Sequence, residues 1–276
     1  AAGNPPDSAV MTDASALNFM YGNIAQPLNK YMDTADPYWN WNPSILKQYS
    51  IGDKIYAVPD YGISTFFIYY NKTLFQENGI EDPYKLYQQG KWDFAKFRET
   101  AKKATLYEKD NTTVKCYGFA TWYRELFVLA NGGKFIDWDD SQGTYVSTLK
   151  SAATIAGLNF LRDIIADGSM NPSIQGFTEF PARKIAMFVE RPMNAIGNYD
   201  LLNTMDDEIG IVPFPQGPNA DKVYAPSIFV TNFVPTNAKN PLGGMAWNYF
   251  YARRMAEGKA RQEDAWLARQ RRFMTE

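Results

Sequence analysis

Hydrophobic and polar positions along this chain switch repeatedly between a period of two and a period near 3.6 residues. Residues 54–59 (Lys-Ile-Tyr-Ala-Val-Pro) and 65–70 (Thr-Phe-Phe-Ile-Tyr-Tyr) read as strands joined by a loop, Asp60-Tyr61-Gly62-Ile63-Ser64. The second run is apolar on both faces, as in a sheet covered on both sides. Further strands are expected at 117–121, 185–189, 209–213 and 228–235. Helices are expected between them. One covers about 14–20. A second starts at Trp92-Asp93, with Asp93 as N-cap, Trp92 set to staple Phe97, and Phe94, Phe97, Ala101 and Ala104 on its inner face. A third spans 147–167, with Leu149, Ala153, Ala156, Phe160 and Ile164 inward and Gly168 at C′. A fourth opens at Asn240-Pro241, Pro being tolerated at N1, with Trp247 and Phe250 on its apolar side. Strands interspersed with helices predict α/β layers.

Some segments follow neither period. Residues 36–43, Asp-Pro-Tyr-Trp-Asn-Trp-Asn-Pro, form a Pro-bounded loop whose three aromatics read as exposed. From Arg253 to Glu276 seven basic residues face four acids, and the expectation is a solvated helix with Trp266 and Leu267 turned inward. No internal repeat, low-complexity stretch or apolar run of membrane-spanning length occurs. Ala-Ala-Gly-Asn-Pro-Pro-Asp does not read as a signal peptide, so any export signal is expected outside the chain.

Composition narrows the chemistry. The 276 residues carry a net charge of −2, which gives no electrostatic reason to expect nucleic acid as a partner. There is no histidine. That removes Ser-His-Asp and Cys-His catalysis, His-held zinc, iron and haem, and any side chain titrating near neutrality in its unperturbed state. Cys116 is the single cysteine, so no intrachain disulfide or thiolate metal cage exists. In its strand-like setting it reads as a small buried hydrophobe. Aromatics reach 16%, and Tyr and Trp are costly to bury without a partner for the polar tip. Such a composition suits a binder of neutral polar ligands.

No Gly-x-Gly-x-x-Gly, P-loop or Gly-x-Ser-x-Gly is present. Asp137-Trp138-Asp139-Asp140-Ser141-Gln142-Gly143 has its Gly one place late for an EF-hand and Thr148 where the closing Glu belongs, so a polar hairpin turn is expected. Asp13, Asp60, Glu125 and Glu190 are candidates for the paired carboxylates of glycoside hydrolysis, whose spacing is spatial. The positive signal is aromatics beside hydrogen-bonding side chains: Trp39-Asn40-Trp41, Asp60-Tyr61, Trp122-Tyr123-Arg124-Glu125 and Arg191-Pro192-Met193-Asn194. A sugar ring offers an apolar C–H face and a rim of hydroxyls, and takes a flat aromatic with Asp, Asn or Arg at its edge.

The order of segments resembles a known family. Gly3-Asn4-Pro5-Pro6-Asp7, then Gly52-Asp53-Lys54-Ile55-Tyr56-Ala57-Val58-Pro59, then Tyr70-Asn71-Lys72-Thr73-Leu74-Phe75-Gln76-Glu77-Asn78-Gly79-Ile80 are followed by Gly90-Lys91-Trp92-Asp93-Phe94. Asn131-Gly132-Gly133, Ile185-Ala186-Met187 and Ile209-Gly210-Ile211-Val212-Pro213-Phe214-Pro215 complete the series. In sequence and spacing these resemble family 1 extracellular solute-binding proteins of ABC importers, the maltose-binding-protein-like group.

The resemblance implies a two-lobed α/β periplasmic-binding-protein-like clamshell. Residues 1–63 and 230–276 would build lobe one and 64–229 lobe two, with crossovers near 63–65 and 228–231. It implies capture of a sugar or oligosaccharide in the interlobe cleft, without chemistry and with closure at the hinge. It also implies a membrane permease as partner, a monomer, and a place outside the cytoplasm, in the periplasm or on a lipid anchor outside this chain. Neither cofactor nor metal is implied. The family's first strand and last helices have no counterpart here, so lobe one is expected to be partial. Trp122 falls where an aromatic stacks on sugar, Met193 replaces a second stacking Trp, and Ser64 replaces the usual acid of the first crossover. The ligand contacts expected are Asp13, Tyr61, Trp122, Tyr123, Arg124 and Asn194, with Trp39 and Trp41 at the cleft rim. The competing readings are a carbohydrate hydrolase or lyase using Asp, Glu or Tyr, and a surface protein that contacts another protein through its aromatics.

Overall fold

A computed structural model describes residues 4–39, 43–174 and 176–254, and for residues 13, 14, 60–63, 193, 196, 197, 202 and 203 the backbone only. Chain order begins β1 (Ala9–Thr12), α1 (Asp13–Tyr21), α2 (Pro43–Gln48), β2 (Ser50–Ile51), β3 (Lys54–Ile55), β4 (Val58–Thr65), β5 (Phe67–Asn71), α3 (Lys72–Glu77), α4 (Pro83–Gln88) and α5 (Phe94–Ala104). It continues β6 (Leu106–Tyr107), β7 (Val114–Ala120), α6 (Leu126–Ala130), β8 (Ile136–Asp139), β9 (Thr144–Ser147), α7 (Ala152–Ala166) and α8 (Gly176–Glu179). Then come β10 (Ile185–Glu190), a π-helical turn (Met193–Asn198), α9 (Leu201–Thr204), β11 (Ile209–Val212) and β12 (Ser227–Phe233), and residues 241–254 are helical. Two compact units result: 1–63 with 140–144 and 228–276, and 64–139 with 145–227. The chain passes between them within β4 and within β12.

In the first unit β12 lies between β1 and β4, with β1 antiparallel to it. Segment 60–64, expected as a loop, is therefore strand: its backbone belongs to β4, beside β12. A second correction concerns Trp39, which is only 4% exposed and packs with Leu28, Leu46, Val58, Val234 and Met245. Asp36 turns its loop inward, its carboxylate accepting from Tyr38 N at 2.8 Å and its carbonyl from Trp39 N at 3.0 Å. The Trp39 ring then meets Tyr249 at 5.2 Å, and Tyr249 Oη donates back to Asp36. Trp39 is a core residue, against the expectation that it is exposed. The helix at 241–254 also turns opposite to expectation. Gly244, Met245, Asn248 and Ala252 face inward, and Trp247 and Phe250 are 61% and 54% exposed. A Cβ on Gly244 would stand 2.0 Å from the Asp7 carbonyl, so the glycine lets this helix lie directly against the N-terminal segment, where Ser8 Oγ donates to Asn248.

The second unit is built on a sheet of order β11-β5-β10-β7-β6. β10 runs antiparallel to β5 and parallel to β7. One face of the sheet packs on rings. Phe97 meets Phe119 at 4.9 Å, Phe127 meets Phe214 at 5.2 Å, and Phe94 stacks on Phe160 at 4.2 Å. As expected, Asp93 caps α5 by accepting from Lys96 N, and Trp92 contacts Phe97 edge-on at 5.8 Å. Gly118 accommodates α5, since a Cβ there would lie 1.7 Å from the Ala101 carbonyl oxygen. Helix α7 starts later than its pattern suggests. Ser151 caps it by accepting from Thr154 N, residues 144–147 pair as β9 instead, and Leu149 is left half exposed. Its end holds, with Gly168 left-handed (φ 76°) at C′. Within the 137–143 segment, 137–139 belong to β8 and 140–143 form the turn of the β8–β9 hairpin. Cys116 is buried in β7, and burial pushes its thiol up to about 12.

Two stability tests follow from these contacts. Trp39→Ala should cost about 3–5 kcal/mol in a urea melt, the range for truncating a core aromatic, whereas a rim residue would cost under about 1 kcal/mol. The second test concerns Asp167, which receives Arg98 Nε at 2.6 Å, Lys102 Nζ at 3.0 Å and Ser169 Oγ, joining α5 to the end of α7. Burial alone would raise its carboxyl, but these hydrogen bonds together outweigh it and hold it at about 2, below the ordinary 3.8. A carboxylate depressed on folding stabilises fully above its unfolded value and loses that contribution as pH falls through its folded one. Thermal melts from pH 4 to pH 2 should therefore fall less steeply for Asp167→Asn than for the parent.

Candidate ligand-binding site

In open α/β sheets, ligands bind at the carboxyl ends of parallel strands. β7 and β10 are such a pair, with Phe188 opposite Ala120, so Thr121-Trp122-Tyr123 and Glu190 emerge at one edge of the sheet. There Thr121, Trp122, Tyr123, Gly176, Phe177, Phe188, Val189, Glu190 and Tyr199 line a cavity of about 240 Å³. All of these described lining residues belong to the second unit.

Local chemistry sets each wall. Tyr123 N donates to Thr121 Oγ1 at 3.0 Å, a tight side-chain turn that leaves Trp122 between them 62% exposed. The Tyr123 ring rests on Phe66 at 4.4 Å. Also in the lining, Phe177 and Tyr199 stack with centroids 4.9 Å apart and planes 19° from parallel. Gly176 lets α8 sit against the sheet, because a Cβ there would come 2.2 Å from the Phe188 ring. Below lies an apolar cluster of Tyr69, Ala120, Phe180, Phe188, Ala195 and Leu201. Tyr69 Oη, buried at the base, has no hydrogen-bond partner among the described residues.

Glu190 ends β10 and is 5% exposed. Its Oε1 accepts from Arg191 N at 2.8 Å, Asn194 Nδ2 at 3.1 Å, Arg191 Nε at 3.4 Å and Tyr123 Oη at 3.5 Å. The Arg191 guanidinium also lies 5.7 Å from the centre of the Phe66 ring. Burial, and then the Glu190 charge, raise the phenols of Tyr69, Tyr123 and Tyr199, so all three remain hydroxyls at neutral pH. The cavity thus offers flat rings, phenolic hydroxyls and one carboxylate.

The structure brings together part of the expected site. Trp122 and Tyr123 line the cavity. Asn194 is buried behind it and reaches it only through Glu190. Arg124 points elsewhere, its Nη2 donating to the Pro172 carbonyl at 2.6 Å. The side chains of Asp13 and Tyr61, and all of Trp41, lie outside the described residues. Sequence reasoning missed Phe177 and Tyr199 and weighed Glu190 only as an acid. The available signal was an acid directly after the apolar run 185–189, at a strand's carboxyl end. Among the described residues no group of three or more Asp, Glu, His or Cys is placed to hold a metal ion, and no helix is long and apolar enough to cross a membrane.

The chain is thus a two-unit α/β protein with an aromatic cavity at a sheet edge of its second unit, and comparison with known proteins gives its family. The family model of bacterial extracellular solute-binding proteins matches residues 1–260, and the chain belongs to that family. A Brucella abortus (strain 2308) protein named as a binding protein is 23% identical over 227 residues, 79% of this chain and 51% of that protein. The chain therefore spans about half the length of the curated relatives it matches. Among solved structures, UgpB from Mycobacterium tuberculosis in complex with glycerophosphocholine aligns with a TM-score of 0.65 and 22% identity, over 91% of this chain and 60% of that one. CpMnBP1 with mannotriose bound gives 0.70 and 19%, over 91% and 64%. The maltose-maltodextrin binding protein of Alicyclobacillus acidocaldarius gives 0.62 and 20%, over 94% and 64%. At these identities the likeness is one of fold, and the fold is the periplasmic-binding-protein type.

Trp122 is open and Phe188 is 1% exposed, which separates wall from core. In urea melts Trp122→Ala should change unfolding free energy by less than about 1 kcal/mol, and Phe188→Ala should cost about 3–5 kcal/mol.

Proposed function

We propose that the protein is the extracytoplasmic solute-binding component of an ABC importer, and that the cavity beside Trp122 receives a ring of a sugar or oligosaccharide. The observation that carries this is a large indole, 62% exposed, in the lining of a cavity that also holds a stacked aromatic pair. An exposed Trp in a concave apolar site is the feature expected of a stacking platform and of a binding hot spot. Neighbours of the same fold bind mannotriose and maltodextrins, which supports a saccharide as the ligand class. Family membership supports a membrane permease as partner and a place outside the cytoplasm.

Capture without turnover also belongs to this reading. Glycoside hydrolysis commonly requires two carboxylates flanking the scissile bond. Among the described residues lining the cavity, Glu190 is the only acid.

The test is a thermal-shift screen over mono- and oligosaccharides, because a ligand that binds the native state raises its melting temperature. A saccharide that raises it should bind Trp122→Ala about 5- to 150-fold more weakly by calorimetric titration, a loss of about 1–3 kcal/mol. It should also be recovered intact after prolonged incubation. Unchanged affinity in the folded variant would remove Trp122 from the site, and accumulation of shortened product would support the hydrolase.

A further inference from the structure

Glu190 is bonded in an unusually one-sided way. All four of its hydrogen bonds end on Oε1, and no described group donates to Oε2. An ionised carboxylate has about four acceptor positions spread over two oxygens. Here the inner oxygen is saturated and the outer one is not. The residue itself is 5% exposed and lines the cavity, and its unsaturated oxygen is the one left to meet a ligand there. The rotamer is also held. Asn194 presents its NH₂ to Oε1 while its own Oδ1 accepts from Asn198 Nδ2 at 2.8 Å, which fixes the amide's orientation. Arg191 adds both its backbone N–H and its Nε, and Tyr123, just past the end of the neighbouring strand β7, adds its hydroxyl.

A fixed charged acceptor at a cavity wall discriminates among ligands. Hydrogen bonds to a charged acceptor are about twice as strong as neutral ones, and a buried acceptor left unpaired is costly. A ligand carrying a hydroxyl or amino group at that point gains the bond, and one carrying a carboxylate or phosphate there meets like charge. Among the described residues lining the cavity, Glu190 is the only charged one. Arg191 is drawn onto Glu190 Oε1 and over Phe66. We propose that Glu190 is the specificity-determining residue of this site, its Oε2 accepting from a ligand donor, so that the saccharide bound is neutral or amino-substituted and not anionic. The inference rests on the saccharide reading above and deepens it. Asn194 and Arg191 are then positioning residues, which act through Glu190.

The experiment titrates mannotriose, maltotetraose and trimannuronate, an anionic trisaccharide with a carboxylate on every ring, into the parent and into Glu190→Gln. Glutamine keeps the volume and the inner acceptor, and replaces Oε2 with an NH₂ donor. The parent should bind at least one neutral oligosaccharide and bind trimannuronate much more weakly. Glu190→Gln should weaken the neutral ligand about 10-fold or more, bind trimannuronate as well as or better than the parent, and melt within a few degrees of it. Neutral affinity unchanged in Glu190→Gln would overturn the role of Glu190 while leaving saccharide capture in place. So would a parallel loss for both ligand types, the signature of a merely structural residue. Binding of trimannuronate alone by the parent would overturn it as well. If no oligosaccharide binds the parent, the saccharide reading itself fails and takes this inference with it. Should Glu190→Gln not fold, Glu190→Asp serves: it keeps the charge but withdraws it by one methylene. It should weaken the neutral ligand and still exclude trimannuronate, and unchanged neutral affinity would again overturn the proposal.

Discussion

Pairing of β10 with β7 on one side and β5 on the other determines where the parts of the cavity lie. Strand pairing is specific to the residue, because a slip of one place turns every side chain to the opposite face. With Phe188 opposite both Tyr69 and Ala120, the residues of β10 whose side chains share its face end at Glu190. The parallel sense of β7 and β10 brings the carboxyl ends of both strands to one edge. Antiparallel pairing would have placed Trp122 and Glu190 at opposite ends of the sheet.

The ring-packed face makes that register rigid. Phe94, Phe97, Phe119, Phe127 and Phe214 interlock beneath the sheet with centroid separations between neighbours of about 5–6 Å. Edge-on and offset arrangements of this kind add to the burial of apolar area. The glycines at 118 and 176 matter for the same reason, since each lets a helix or a ring approach where a Cβ could not stand. The cavity is thus supported by packing on one face of the sheet, and shaped on the other by the short elements between 176 and 204.

Charge is used sparingly in this part of the molecule. The aromatic walls supply area and shape, and a single carboxylate supplies direction. Its inner oxygen collects four donors from three residues, so the orientation of the outer oxygen does not depend on a flexible side chain. The phenols of Tyr123 and Tyr199 remain protonated beside that charge and can both donate and accept. Such a lining can donate to and accept from hydroxyl groups without a side chain that titrates near neutral pH, which agrees with a chain that has no histidine.

Much of this was legible in the sequence where local chemistry decides the outcome. Asp93 as a cap, Trp92 against Phe97, Gly168 ending a helix, Cys116 inside a strand and the hairpin at 137–143 all depend on neighbours within a few residues. The α/β class followed from the alternation of periods, and the position of Trp122 just past a strand end from the apolar run before it. What the sequence could not decide was which of two apolar faces turns inward and which distant residues meet. Trp39 looked exposed because its loop is rich in Pro and Asn, yet Asp36 folds it into a core completed by Met245, Tyr249 and Ala252, more than 200 positions away. Trp247 and Phe250 looked buried because they are large, but Gly244 admits the N-terminal segment on the other side of their helix. Phe177, Tyr199 and Glu190 become one site only through the parallel pairing of β7 with β10. That pairing is a long-range contact, and periodicity within one segment carries no information about it.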